Sequence, residues 1–251
     1  MKNETRKQKT KMIITDTHAH FIPGVDDGSP SLEESIRMLR MSAEQGVGRI
    51  IATPHSWGTD DCGFEYMLSQ FENLKSAVQQ RQIPVELYLG CEMLVYASTV
   101  DDCIRKLDAG KYPTMCGTRY VLTEFDPGWY SQEDADYSIR KILEAGYTPI
   151  IAHVERYPLP SIECVQKMKD AGALMQINAY SIVNEKKERT RNNANALLSE
   201  RLVDFFGSDA HRLGHRPPVV ADGVDAMTRL YTEEYAKKVL EDNPQNLLLR
   251  V

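Results

Sequence analysis

Five of the six histidines in this sequence fall in four short, widely separated stretches: Asp16-Thr-His18-Ala-His20, Thr53-Pro-His55, Ile151-Ala-His153 and Ser208-Asp209-Ala-His211. Carboxylates are scattered among them in the same manner, at Asp27, Glu92 and Glu124. His18 and His20 are one residue apart, and in extended backbone that spacing points both imidazoles to the same side, where they can grip one ion. A lone pair of this kind is weak evidence, and a solitary His55 or His153 is more often an ordinary hydrogen-bonded histidine. The set taken together is specific. Asp209 and His211 repeat the one-residue spacing, and a carboxylate placed after an apolar run, such as Glu92 after Val85–Leu89, is costly to bury without a cation.

His18, His20, Asp27, His55, Glu92, Glu124, His153, Asp209 and His211 give nine candidate metal ligands. One ion takes roughly four to six ligands including water, so nine suit two or three divalent ions with a carboxylate such as Glu92 as a bridge. Imidazole mixed with carboxylate, with no thiolate, favours Mn²⁺, Fe²⁺ or Zn²⁺ over Mg²⁺ or Ca²⁺, and Mn²⁺ suits an acid-rich site best. Bridged metals lower the pKa of bound water and clamp the oxygens of a transferring phosphoryl group. Arg156 lies three residues past His153 and Arg216 five past His211. Either alone reads as a surface arginine. Beside such a ligand set, their planar guanidinium groups are read as catalytic phosphate-binding residues.

Competing chemistries lack their residues. No cysteine is followed six positions later by arginine, and there is no GxSxG elbow and no GxxxxGK[ST] loop. Gly46-Val-Gly48 lacks a third glycine and precedes an apolar run read as a strand, so a dinucleotide site fails. The five cysteines are odd in number and form no CxxC, which argues against a disulfide framework and fits a reducing compartment, with the cytoplasm expected.

The elements that must position these residues alternate. Strands are expected at Met12–Thr15, Arg49–Thr53, Val85–Leu89, Tyr120–Thr123, Pro149–Ala152, Ala173–Ile177 and Leu202–Phe206. Helices are expected after the capping pattern Ser31-Leu-Glu-Glu34, with Ile36, Leu39 and Ala43 on one face and Gly46 and Gly48 ending it. Others are expected from about Phe64 to Gln80, with Leu68, Phe71, Leu74 and Val78 inward, and after Ser131, with Ile139, Ile142 and Leu143. Further helices are expected at Ser161–Asp170, near Asn192–Glu200, at Asp222–Leu230 and at Thr232–Asp242. Seven βα units in series imply parallel strands with right-handed crossovers. Every candidate ligand follows a strand. An open sheet would spread those ends along a line, whereas a barrel gathers them into a ring, so a distorted barrel with the site at the C-terminal strand ends is expected.

At 251 residues the chain suits one large α/β domain, expected over residues 12–251. Its net charge of −6 makes nucleic acid a poor partner. No apolar run approaches the ~18 residues of a membrane span. Met1 to Lys11 is basic and polar and is expected to be a disordered tail, without the apolar stretch of a secretory signal.

In order along the chain, Asp16-Thr-His18-Ala-His20, Val25-Asp-Asp27-Gly28, Ala52-Thr-Pro-His55, Gly90-Cys-Glu92, Ile151-Ala-His-Val-Glu-Arg156-Tyr157 and Gly207-Ser-Asp209-Ala-His211 with Arg216-Pro217 resemble the PHP (polymerase and histidinol phosphatase) superfamily. Within it, Asp-Asp-Gly and His-Val-Glu-Arg-Tyr are similar to the manganese-dependent bacterial protein-tyrosine phosphatases of the CpsB/CapC type. The resemblance runs from about Met12 to Arg216. It implies a distorted TIM-like barrel of seven βα units and a trinuclear site. One metal would take His18, His20, Glu92 and Asp209, a second Glu92, Glu124 and His153, and a third Asp27, His55 and His211, while Arg156 and Arg216 hold the phosphate. It also implies a phosphotyrosine-containing protein as substrate, in the family usually a bacterial tyrosine kinase that governs capsule or exopolysaccharide synthesis. The basic tail and Cys91-Glu92-Met93 depart from the family pattern. A small-molecule phosphatase of the same fold, acting for example on histidinol phosphate, and a non-catalytic kinase-binding regulator remain as alternatives, with the oligomeric state open.

Overall fold

In the computed structural model, residues 12–159 and 161–249 are described, so the tail Met1 to Lys11 lies outside them. Strands and helices alternate: β1 (Ile14–Ala19), α1 (Leu32–Glu44), β2 (Val47–Ala52), α2 (Ser56–Cys62), α3 (Phe64–Gln80), β3 (Glu86–Leu89), β4 (Glu92–Leu94), α4 (Val100–Asp108), β5 (Tyr120–Glu124) and α5 (Gln132–Glu144). They continue as β6 (Thr148–Ile151), α6 (Ile162–Asp170), β7 (Leu174–Asn178), α7 (Glu188–Ser199), β8 (Phe205–Gly207), α8 (Ala221–Leu230) and α9 (Glu233–Lys237). The chain then runs on in wide helical turns over Lys238–Asp242 and Pro244–Leu248.

The strands pair in parallel as two sheets, β1-β2-β3 and β4-β5-β6-β7-β8. Eight strands are therefore present among the described residues, one more than expected, because Gly90 and Cys91 separate β3 from the short β4. Backbone pairing joins the sheets at two seams. At the first, Gly90 N donates to Ala52 O (2.8 Å) and Glu92 N to Pro54 O (3.0 Å). At the second, Asp209 N donates to His18 O (2.8 Å) and His20 N to Ala210 O (2.9 Å).

Side-chain alternation along the strands sorts the core into two parts. Ile50, Val121, Ile151 and Phe206 pack with the helices in one large cluster. Their neighbours Ile51, Leu122, Ile150 and Phe205 instead meet one another, Met115 and Leu248 in a second cluster. That cluster underlies the candidate site: Glu124 and Gly207 lie two residues beyond Leu122 and Phe205, on the same strand faces.

Local chemistry explains the helix starts. Ser31 Oγ accepts from Glu34 N and Ser131 Oγ from Asp134 N, each at 3.3 Å. The Glu34 carboxylate turns away from its cap to accept from Leu213 N at 3.0 Å, tying α1 to the loop after β8. Gly46, at φ 89°, ends α1 as expected, whereas Gly48 is already in β2. In α3 the inward residue is Met67, and Leu68 is only half-buried. β1 runs further than Met12–Thr15 and carries Asp16 and His18 within it. The short helices α2 and α4 had not been expected.

Helix α8 crosses the turn after β7 so closely that a Cβ on Gly223 would stand 2.3 Å from Ala179 O, a backbone atom that cannot swing aside. Gly223→Ala should therefore cost about 1–3 kcal/mol in thermal or denaturant unfolding. Gly214→Ala, where an added Cβ meets nothing within 4 Å, should stay within about 0.5 kcal/mol of the original.

Candidate metal centre

All nine expected ligands converge. Four groups of side chains each bring one ligand atom per residue within 4.8 Å of the others: His20, Asp27, His55 and His211; His18, His20 and Asp209; His18, Glu92 and His153; His55, Glu92 and Glu124. Glu92, at the first seam, belongs to two of them. Its oxygens lie 3.2 Å from His18 Nε2, 3.3 Å from His20 Nε2, 2.9 Å from His55 Nδ1 and 3.0 Å from His153 Nε2. Glu124 completes that side at 3.4 Å from His153 Nε2. Asp27 is exposed and stands 3.5 Å from His55 Nε2 and 3.4 Å from His211 Nε2.

The ring nitrogens test whether these residues fit a cation. His20 Nδ1 donates to Asp26 Oδ2 at 2.7 Å, His18 Nδ1 to Gln176 Oε1 at 3.2 Å and His211 Nδ1 to the Asp209 carbonyl at 2.9 Å. In the neutral ring each contact leaves the lone pair on Nε2. Yet His18 Nε2 and His20 Nε2 face each other at 3.2 Å, and His211 Nε2, His55 Nδ1 and Glu92 Oε2 are buried without a hydrogen-bond partner. Ring nitrogens and carboxylate oxygens crowded into a buried space call for positive charge, which a proton on a ring or a bound cation supplies. The donor set therefore fits divalent metal.

The protonation equilibria are tuned by the same contacts. Burial opposes a charge on His20, but Asp26 outweighs it and raises its pKa well above the ordinary value; the same carboxylate makes the ring a stronger metal ligand. Burial and the nearby His20 push His211 down to about 2, so its ring stays neutral. Burial and Arg156 oppose a charge on His153, yet Glu124 and Glu92 hold it up to about 9. Burial works against the charge on Glu92, and the surrounding imidazoles hold its carboxyl well below the usual range.

Backbone strain is concentrated here. His153 (φ 33°), Asp209 (φ 54°) and Arg216 (φ 56°) all adopt the left-handed conformation that side chains with a Cβ avoid. Both expected phosphate ligands are present, and both hold Asp209. Arg156 Nη1 lies 3.0 Å from its Oδ2, and Arg216 Nη1 3.2 Å from both oxygens. Asn178 Nδ2 adds a third donor at 3.0 Å. Beside this carboxylate opens a cavity of about 410 Å³ whose lining includes Arg156, Arg216, Asn178 and Tyr180.

The chain matches the family profile described as capsular polysaccharide synthesis, CpsB/CapC, over residues 14–249. The chain belongs to the CpsB/CapC family. Within CpsB/CapC, it is 32% identical over 243 residues to the tyrosine-protein phosphatase CpsB of Streptococcus agalactiae, covering 94% of this chain and 98% of that one. Its fold superposes on a solved structure from work on YwqE of Bacillus subtilis and CpsB of Streptococcus pneumoniae, described as unique metal-dependent tyrosine phosphatases. The TM-score is 0.82 at 25% identity, with 94% of each chain covered. The lactonase Lmo2620 of Listeria monocytogenes, at 12% identity and TM-score 0.61 over 94% of each chain, shares the fold alone.

Several supporting residues escaped the sequence reading. Asp26 is the chief one: besides His20 it accepts from His55 N and Gly28 N, each at 2.9 Å. In the pair Asp26-Asp27 the second acid had been singled out, and nothing in the spacing marks the first. Gln176 and Asn178 left a clearer trace, as polar residues alternating along the otherwise apolar β7. Gln176 Oε1 also accepts from His153 N at 2.7 Å, so one amide serves both His18 and His153.

Asp26→Asn can no longer accept from His20, His55 and Gly28 together as an ionised carboxylate. The variant should fold and lose roughly 10- to 100-fold in metal affinity, read by metal titration against the original protein. Unchanged affinity would show that His20 and His55 need no such brace.

Proposed function

We propose that this chain is a metal-dependent protein-tyrosine phosphatase. The observation that carries the reading is the nine-residue cluster of imidazoles and carboxylates with Arg156 and Arg216 at its edge, in a chain of the CpsB/CapC family whose relatives bear that activity in their names. On this reading His18, His20, Glu92 and Asp209 hold one ion, Glu92, Glu124 and His153 a second, and Asp27, His55 and His211 a third, with Mn²⁺ the best match to the donors. Bound there, divalent ions would supply electrophilic charge for phosphoryl transfer and activate water. The substrate is a phosphotyrosine-containing protein, and the family context points to a tyrosine kinase of capsule or exopolysaccharide synthesis.

The chain's own residues prepare the site. Asp26 and Gln176 hold His20 and His18 in the tautomers that present Nε2 inward. Asn178, Arg156 and Arg216 share Asp209 between them. Both arginines line the cavity, where their remaining N–H groups can take the oxygens of a phosphate ester. The two backbone seams support reading the strands as a distorted barrel of seven units, with β3 and β4 as one interrupted strand. No helix among the described residues is long and apolar enough to cross a membrane. The five cysteines are free thiols, which supports a cytoplasmic protein.

Chelation should abolish hydrolysis of a phosphotyrosyl peptide, and Mn²⁺ should restore it better than Mg²⁺. Full turnover after long incubation in excess EDTA would end the metal-dependent reading.

Arg156→Ala and Arg216→Ala should each lower kcat/KM on the same peptide at least about tenfold, since one preorganised charge-stabilising donor is worth roughly 10²–10³ in rate. Asp209 keeps two of its three side-chain donors in either variant, so metal content at saturating Mn²⁺ should remain near that of the original. Retained kcat/KM in both variants would remove the arginines from the phosphate site.

A further inference from the structure

The cavity at Asp209 has a neighbour. A second hollow of about 420 Å³ adjoins it, and both are lined by Arg156, Lys187 and Thr190. The charged residues lining the second hollow are Arg156, Lys187 and Arg189 against Glu188 alone. That is a local excess of cation on a protein whose net charge is −6. Lys187 and Arg189 are exposed, and among the described residues neither forms an ion pair with a carboxylate. Arg189 Nη2 donates to the Arg156 carbonyl at 3.3 Å, which holds this wall against the phosphate arginine.

The position of these cations is also unfavourable for the helix that carries them. Lys187 is the residue before α7 and Arg189 lies in its first turn, the end where the helix dipole disfavours positive charge. Two cations thus stand at the unfavourable end of a helix, without carboxylate partners among the described residues, and line a hollow that shares Arg156, Lys187 and Thr190 with the cavity beside Asp209, a setting that suits an incoming anion.

We infer that Lys187 and Arg189 form a second anion-recognition site, which reads an acidic side chain flanking the phosphotyrosine of the substrate. The inference rests on the phosphatase reading above and adds its sequence preference. The phosphate goes to Arg156 and Arg216, and the neighbouring Asp or Glu side chain goes to the second hollow. An exposed ion pair is worth about 1.4- to 5-fold in binding, so two give a preference of about two- to 25-fold. The preference falls in KM, because these contacts form in the ground state and do not change with the reacting charge.

The test compares two phosphotyrosyl peptides, one with glutamate on both sides of the phosphotyrosine and one with glutamine, on Mn²⁺-loaded protein at low ionic strength. The original protein should favour the glutamate peptide about two- to 25-fold in kcat/KM, and high salt should shrink the ratio. With Lys187→Gln and Arg189→Gln combined, the ratio should fall to about one. The charge-preserving pair Lys187→Arg with Arg189→Lys should keep most of it. No preference in the original protein, or the same preference in the glutamine double variant, would overturn the inference. Hydrolysis of neither peptide by the original protein would remove the phosphatase reading and this inference with it.

Discussion

Two imidazole nitrogens that face each other across 3.2 Å, each on a ring whose other nitrogen is already engaged, set the requirement that the rest of this molecule meets. Neither His18 nor His20 can turn away without giving up the Gln176 or Asp26 contact behind it. Their Nε2 atoms meet the oxygens of Glu92 and Asp209 in the same small volume, an arrangement that positive charge, carried by the rings or by a bound cation, makes favourable. The surrounding contacts hold acceptors where hydrogen bonding alone would disperse them.

That constraint accounts for where strain appears. His153 and Asp209 leave their strands in the left-handed conformation, a cost of order 1–3 kcal/mol each that only an over-determined environment sustains. The environment is visible: Gln176 takes the His153 amide, His18 O takes the Asp209 amide, and three side chains grip the Asp209 carboxylate. Gly207 makes the approach possible, because a Cβ there would stand 2.6 Å from that of His18. The apolar cluster of Ile51, Leu122, Ile150 and Phe205 closes the space beneath, so the polar groups above it rest on a packed floor.

The sequence revealed most of this because the chemistry and the fold share one pattern. Ligands that recur after apolar runs disclose both the strands and the place where the strand ends gather, and the capping serines at Ser31 and Ser131 mark helix starts by a purely local interaction. What stayed hidden was non-local. Met67 takes the inward place on α3 and packs with Ile22, Val25, Ala52 and Phe71; both it and Leu68 stand at helical spacing from Phe71, and only those tertiary partners choose between them. β4 is three residues long and exists through its pairing with β5. Asp26 and Asp27 are adjacent and chemically identical, and only the turn that closes on Gly28 decides which one braces His20. Arg156 and Arg216 could be picked out in the sequence, but their common grip on Asp209 depends on chain segments that the sequence leaves more than fifty positions apart.

The second seam, where His18 and His20 pair with Asp209 and Ala210, has a consequence for how the molecule comes into being. Its two sides are separated by about 190 positions in the chain, as the bond from Ser208 N to Asp16 Oδ1 records. Contacts of such long sequence separation must bear the full entropy of loop closure before they return anything, so they form late. During synthesis β1 is made well before its partner and lacks that pairing until the segment carrying Asp209 and Ala210 has followed. The ring of candidate ligands closes only once the segment carrying Asp209 and His211 has joined β1.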